Sequence, residues 1–181
     1  VGKFEDTLPD FFLKERPKAS LINFDADLYS STLCALNYSN KVIDEKTILI
    51  ANNSDQIFRH SFVASFFLYD IASKKLTPLF DYKIQEPTFS PDGTKLAFVQ
   101  SKLGNPDIYV MDLNTRKATR MTSHYGIDTE PQWLADGRHI VFTSSRAGGP
   151  QIYKLDTKDQ SVERITFEGS YNARARVTAD G

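Results

Sequence analysis

A 44-residue period constrains this chain more than any other feature. The stretch Glu86-Pro-Thr-Phe-Ser-Pro-Asp-Gly-Thr-Lys-Leu-Ala-Phe-Val99 returns as Glu130-Pro-Gln-Trp-Leu-Ala-Asp-Gly-Arg-His-Ile-Val-Phe-Thr143. Asp92-Gly93 recurs at Asp136-Gly137 and again at Asp180-Gly181. The segments between keep step, with Ile108-Tyr109 matching Ile152-Tyr153, Asp112 matching Asp156 and Thr122 matching Thr166. A fixed period of this length, filled with short strands, predicts a propeller or solenoid array. Each repeat supplies four strands: one ending in an aromatic (Phe89, Trp133), an apolar inner strand (96–99, 140–143), a third through Ile-Tyr, and an outer one ending in Thr122 or Thr166. Asp-Gly makes the first tight turn, because glycine accepts the positive φ that hairpin turns demand. Four strands per repeat is the content of one propeller blade.

The strings Asp107-Ile-Tyr-Val-Met-Asp-Leu113, Thr129-Glu-Pro-Gln-Trp133, Phe142-Thr-Ser-Ser145 and Arg164-Ile-Thr-Phe-Glu-Gly-Ser170 resemble the blade motif of TolB-type propellers of the bacterial Tol system. On that resemblance, residues 86–181 are two blades and the start of a third. Upstream, Ile57-Phe-Arg-His-Ser61, Phe66-Phe-Leu-Tyr-Asp-Ile71 and Lys74-Lys-Leu-Thr-Pro78 resemble a propeller blade of the dipeptidyl peptidase IV family. No Gly-x-Ser-x-Gly nucleophile elbow occurs, and Arg59, His60 and Ser61 are read as blade residues rather than peptidase machinery.

Residues 1–50 do not share the period. Thr7 caps a first helix carrying Phe4, Leu8, Phe11 and Phe12 on one face. Strand-like residues 20–25, a helix near 31–44 and a second strand over 46–50 then predict a short βαβ unit with a parallel pair. Phe24-Asp-Ala-Asp-Leu-Tyr-Ser-Ser-Thr32 resembles macrocin-type (TylF-like) O-methyltransferases, which use S-adenosylmethionine and a divalent metal. The resemblance puts Asp25 on a metal-holding position and Asn52 and Asn53 where an acidic pair is expected. Two neutral amides in place of two carboxylates weaken any hold on a hard cation. Asp25 and Asp27 are therefore candidate ligands for a weakly held divalent cation; the plainer alternative is a solvated acidic turn that caps the next helix. No glycine-rich cofactor turn precedes them, so no cofactor-binding residue is assigned and no bound cofactor is expected.

Composition excludes several classes. A formal charge of -1 gives no electrostatic case for nucleic acid or an anionic membrane. No apolar run is long enough to span a bilayer. The acidic start, Val1-Gly-Lys-Phe-Glu-Asp6, lacks an apolar signal core, so no export signal is expected, although the TolB resemblance implies a periplasmic setting. Cys34 is the single cysteine, expected as a small buried residue. His60, His124 and His139 show no metal spacing, and Tyr69, Tyr109 and Tyr153 are expected in blade cores.

The expected architecture is mainly β: a partial β-propeller of about three four-stranded blades over 51–181, preceded by a βαβ segment over 1–50. Three family resemblances in one chain suggest a chimera, engineered or recombined. The expected function is a non-catalytic protein-binding or scaffold module, engaging a protein partner or a second copy through open blade faces. The alternative is a fragment of a metal-dependent O-methyltransferase acting on a sugar hydroxyl.

Overall fold

A computed structural model describes residues 47–58, 61–70 and 72–178. Asp25, Asp27, Cys34, His60 and the expected βαβ segment up to residue 46 lie outside the described residues. Eleven strands are described: β1 (Thr47–Phe58), β2 (Ser61–Asp70), β3 (Lys75–Pro78), β4 (Gln85–Phe89), β5 (Lys95–Gln100), β6 (Asp107–Asp112), β7 (Ala118–Arg120), β8 (Asp128–Trp133), β9 (His139–Ser144), β10 (Gln151–Asp156) and β11 (Val162–Arg164). The described chain divides into two compact units, one of residues 47–53 and 65–81, the other of residues 54–64 and 82–178.

The strands form three sheets in the order β1-β2-β3, β4-β5-β6-β7 and β8-β9-β10-β11. The strand expected over 46–50 runs on without a break to Phe58. In the first unit β2 and β3 pair antiparallel, Phe67 with Pro78 through Asp70 with Lys75. The Asp70 carboxylate closes their turn by accepting the Ser73 N–H at 2.7 Å, and Lys74 there takes a left-handed φ of 54°. Phe66, Leu68, Tyr69 and Leu79 are buried.

The second unit holds the two complete four-stranded sheets, which are the two blades read from the repeat. Their registers are copies of each other. Thr88 and Phe89 pair with Ala97 and Leu96, as Gln132 and Trp133 pair with Val141 and Ile140. Both first strands carry a bulge at the same place, between Gln85 and Thr88 and between Thr129 and Gln132. The turn chemistry repeats as well. Asp92 accepts the Thr94 N–H at 3.0 Å and Asp136 accepts the Arg138 N–H at 2.9 Å, with Gly93 and Gly137 at φ 68° and 65°. At the next turn Asp112 and Asp156 accept the backbone N–H of Asn114 and Lys158, and Arg116 and Gln160 take the left-handed conformation. The Thr122 and Thr166 hydroxyls accept the N–H of Ile108 and Ile152, tying the outer end of each blade to its third strand.

The blades pack face to face. Ala97, Val99, Ile108 and Val110 of the first meet Trp133, Ile140, Phe142, Tyr153 and Leu155 of the second. Alternate residues of a strand face opposite ways, so the period of two places these side chains on one face each. Burying each large apolar side chain contributes roughly 1.5–3 kcal/mol, which makes this seam the main apolar support of the unit. The Trp133 indole N–H also crosses it to the Thr88 carbonyl at 3.1 Å. As expected, Tyr69, Tyr109 and Tyr153 are buried. Residues 172–178 begin the next repeat: Asn172 N–H bonds Pro150 O as Asp128 N–H bonds Pro106 O.

Candidate functional site

Consecutive antiparallel strands alternate in direction, so the connections of each blade sort to two ends. One end carries the tight turns at 90–94, 113–117, 134–138 and 157–161, rich in Asp, Thr, Lys and Arg. The other carries the loops 101–106, 121–127 and 145–150 and the segment after β11. Among the described residues from 63 onward six large apolar side chains are exposed, and all six lie at this loop end: Leu103, Tyr125, Ile127, Ile165, Phe167 and Tyr171. Tyr125, Phe167 and Tyr171 are 82%, 71% and 74% exposed. Ile127 and Tyr171 occupy the same position in successive repeats.

The loops that hold them are braced. The Asn105 amide donates to His124 O at 2.9 Å and Gly126 O at 2.7 Å. Ser145 N–H donates to Ile127 O, and Ile127 N–H returns to the Ser145 hydroxyl. Gln151 Nε2 donates to Gly169 O at 3.1 Å. Gly126 passes so close that a Cβ there would meet Arg146 N at 2.8 Å. The His124 and Tyr125 rings pack at 4.1 Å, and the Arg164 guanidinium lies over the Phe167 ring. Apolar side chains on braced loops lose little entropy when covered, which suits them to binding.

Polar groups support this end from beneath. Asp107 is fully buried, paired with Arg120 Nη2 at 2.6 Å, and burial pushes its carboxyl up against the pull of that guanidinium. Asp128, also fully buried, accepts from the Ser144 hydroxyl at 2.5 Å and from Arg146 at 2.8 Å. One repeat later the same knot is neutral: Thr166 Oγ1 and Asn172 Nδ2 both donate to Gln151 Oε1.

A ladder runs along the first strands. Glu86, Glu130 and Arg174, each one period apart, all take left-handed φ values of 50°, 59° and 57°. The Glu86 carboxylate accepts the Glu130 N–H at 2.7 Å, and the Glu130 carboxylate accepts the Arg174 N–H at 2.8 Å. Glu130 also takes the Thr143 hydroxyl and the Arg174 Nε–H, each at 2.7 Å. Burial pushes the Glu86 carboxyl up.

Of the histidines, His139 starts β9 and bonds Asp136 at 2.5 Å, and His124 sits in the inter-blade loop as expected. Among the described residues no three His, Cys, Asp or Glu side chains converge as metal ligands would, and no helix is long and apolar enough to cross a membrane. The sequence reading did not single out the exposed rim or the Glu ladder. The rim had a visible signal, in that Leu103, Tyr125 and Phe167 are large apolar residues set in inter-strand loops beside polar and glycine residues.

Comparison with known proteins agrees with this architecture. The chain is 59% identical over 29 residues to a protein TolB homolog of Chlorobium luteolum, covering 16% of this chain and 7% of the relative. It is 36% identical over 88 residues to a probable dipeptidyl peptidase 4 of Aspergillus flavus, covering 47% of this chain and 11% of that one. The crystal structure of TolB from Acinetobacter baumannii superposes with a TM-score of 0.59 at 43% identity, over 67% of this chain and 32% of that one. The chain thus spans about a tenth or less of the length of these sequence relatives. The family profile described as the TolB beta propeller domain (PD40) matches residues 53–181, and with two blades in repeat register over that span the chain belongs to this family.

Proposed function

We propose that the chain is a non-catalytic protein-binding module that engages its partner through the loop end of its blades. The observation that carries this reading is the gathering at that end of the exposed large apolar side chains among the described residues from 63 onward. Exposed apolar groups collected on one surface mark interaction sites, and aromatic residues are enriched at interface centres. TolB kinship favours, as the partner, a protein of the Tol–Pal envelope complex in the periplasm. The test is titration of the Tol partner lipoprotein into the wild-type chain and into a Tyr125→Ser, Phe167→Ser, Tyr171→Ser variant. The reading expects binding by the former and a loss of tenfold or more, about 1.4 kcal/mol or above, in the latter. Equal binding by both would sink it.

Two further readings belong to the same proposal. A second copy of the chain is a rival partner, and light scattering across a concentration range separates a dimer from a monomer. The string from Asp25 to Thr32 favours, as a second function, an O-methyltransferase fragment joined to the blades, with Asp25 and Asp27 holding a divalent cation. Calorimetric titration with S-adenosylmethionine and magnesium tests that; absence of heat from both would remove it.

A further inference from the structure

Besides the Trp133 indole bond to Thr88 O, the seam between the two blades is crossed at two polar places. At each, an acidic residue of the first blade lies beside an acidic residue of the second. Glu86 on β4 accepts the N–H of Glu130 on β8, and repulsion from Glu130 is among the causes that push the Glu86 carboxyl up. Asp107 on β6 lies beside Asp128 on β8, drawn together by the Asp128 N–H to Pro106 O bond of 3.0 Å. Both are fully buried, and Asp128 repulsion likewise adds to the burial that raises Asp107.

The groups facing each pair are few. Arg174 and Arg176, from residues 172–178, face Glu86, and Arg174 is already bonded to Glu130. Arg120 of β7 and the Thr122 hydroxyl face Asp107. Arg146 and the Ser144 hydroxyl face Asp128.

One period on, the molecule supplies its own control. The positions of Glu86 and Glu130 become Glu130 and Arg174, a pair of opposite charge bonded at 2.7 Å. The positions of Asp107 and Asp128 become Gln151 and Asn172, bonded amide to amide at 3.0 Å. Of these two steps of the repeat, only the first pairs like charges. We infer that this seam is a proton-dependent joint, in which proton uptake by Glu86 and Asp107, the first-blade member of each pair, tightens the contact between the blades.

The sign follows from linkage. A carboxyl raised in the folded state binds its proton more tightly there than in the unfolded chain. Its stabilisation is full below the unfolded carboxylate range and is lost as pH rises through the folded value. The chain's single tryptophan, Trp133, lies in this seam and reports on it.

The experiment is urea unfolding followed by Trp133 fluorescence between pH 8 and pH 5. Wild type is compared with Glu86→Gln and with the triple variant E86Q/D107Q/D128N, which installs at the lower pair the residue types of the second seam. Each raised carboxyl multiplies the folding equilibrium constant by up to the ratio of its proton affinities in the folded and unfolded chain. Between pH 8 and pH 5 wild type should therefore gain at least about threefold more than the triple variant, with E86Q between them. The comparison cancels every contribution that the three proteins share. Identical pH profiles for all three would overturn the joint, as would a wild-type gain smaller than the variant's. Should the triple variant not fold, E86Q alone decides, because its amide oxygen still accepts the Glu130 N–H; an unaltered profile in E86Q then refutes the proposal.

Discussion

At the scale of single residues, the side chains that matter most are those that answer a backbone demand. Trp133 both fills the seam and donates to Thr88 O. Trp133→Phe removes that bond and part of the volume, and should cost about 1–3 kcal/mol in urea unfolding followed by circular dichroism. The turn aspartates make an acid limit. Hydrogen bonds from Ser90 and Thr94 hold Asp92 at about 2, and His139 and the turn amides hold Asp136 at about 2. Carboxyls lowered on folding stabilise above the ordinary carboxylate range, and that stabilisation is lost as pH falls toward 2. Acid titration should therefore show stability falling below about pH 4, the reverse of the trend expected from Glu86 and Asp107 at milder pH. Asp92→Asn should flatten the fall, and an unchanged curve would remove Asp92 from the account.

At the scale of elements, some of the fold is legible in the residue string and some is not. Asp92-Gly93 and Asp136-Gly137 announce their turns because a positive φ nearly requires glycine there. Gly137→Ala should cost about 1 kcal/mol by thermal unfolding, since φ +65° strains any residue with a Cβ. Thr122 and Thr166 are visible as a repeat, and each proves to cap a strand. The bulge at Glu86 and Glu130 is not legible, because glutamate followed by proline does not by itself call for a left-handed backbone. The neighbouring repeat's N–H supplies the reason, and only the folded seam brings it near. Gly126 is similar: its sequence context suggests a loose loop, but its backbone lies against Arg146. Gly126→Ala must move that loop and should weaken partner binding in the titration more than it lowers the unfolding midpoint.

At the scale of the whole molecule, the two blades divide the labour between their ends. Short turns with fixed carboxylates close one end, and longer braced loops display Tyr125, Phe167 and Tyr171 at the other. Periodicity showed the blades but not this asymmetry, because a loop side chain's exposure depends on which strands neighbour it and not on its repeat position. Residues 1–46 carry a different signal, and the methyltransferase-like string with Asp25 and Asp27 keeps its own test. Loop-end binding is checked most directly by a hydrogen-exchange footprint of the chain with and without the Tol partner lipoprotein. The account predicts protection at residues 101–106, 121–127 and 165–172, with the turns at 90–94 and 134–138 unchanged. Protection confined to those turns, or none in either set at a saturating partner concentration, would contradict it.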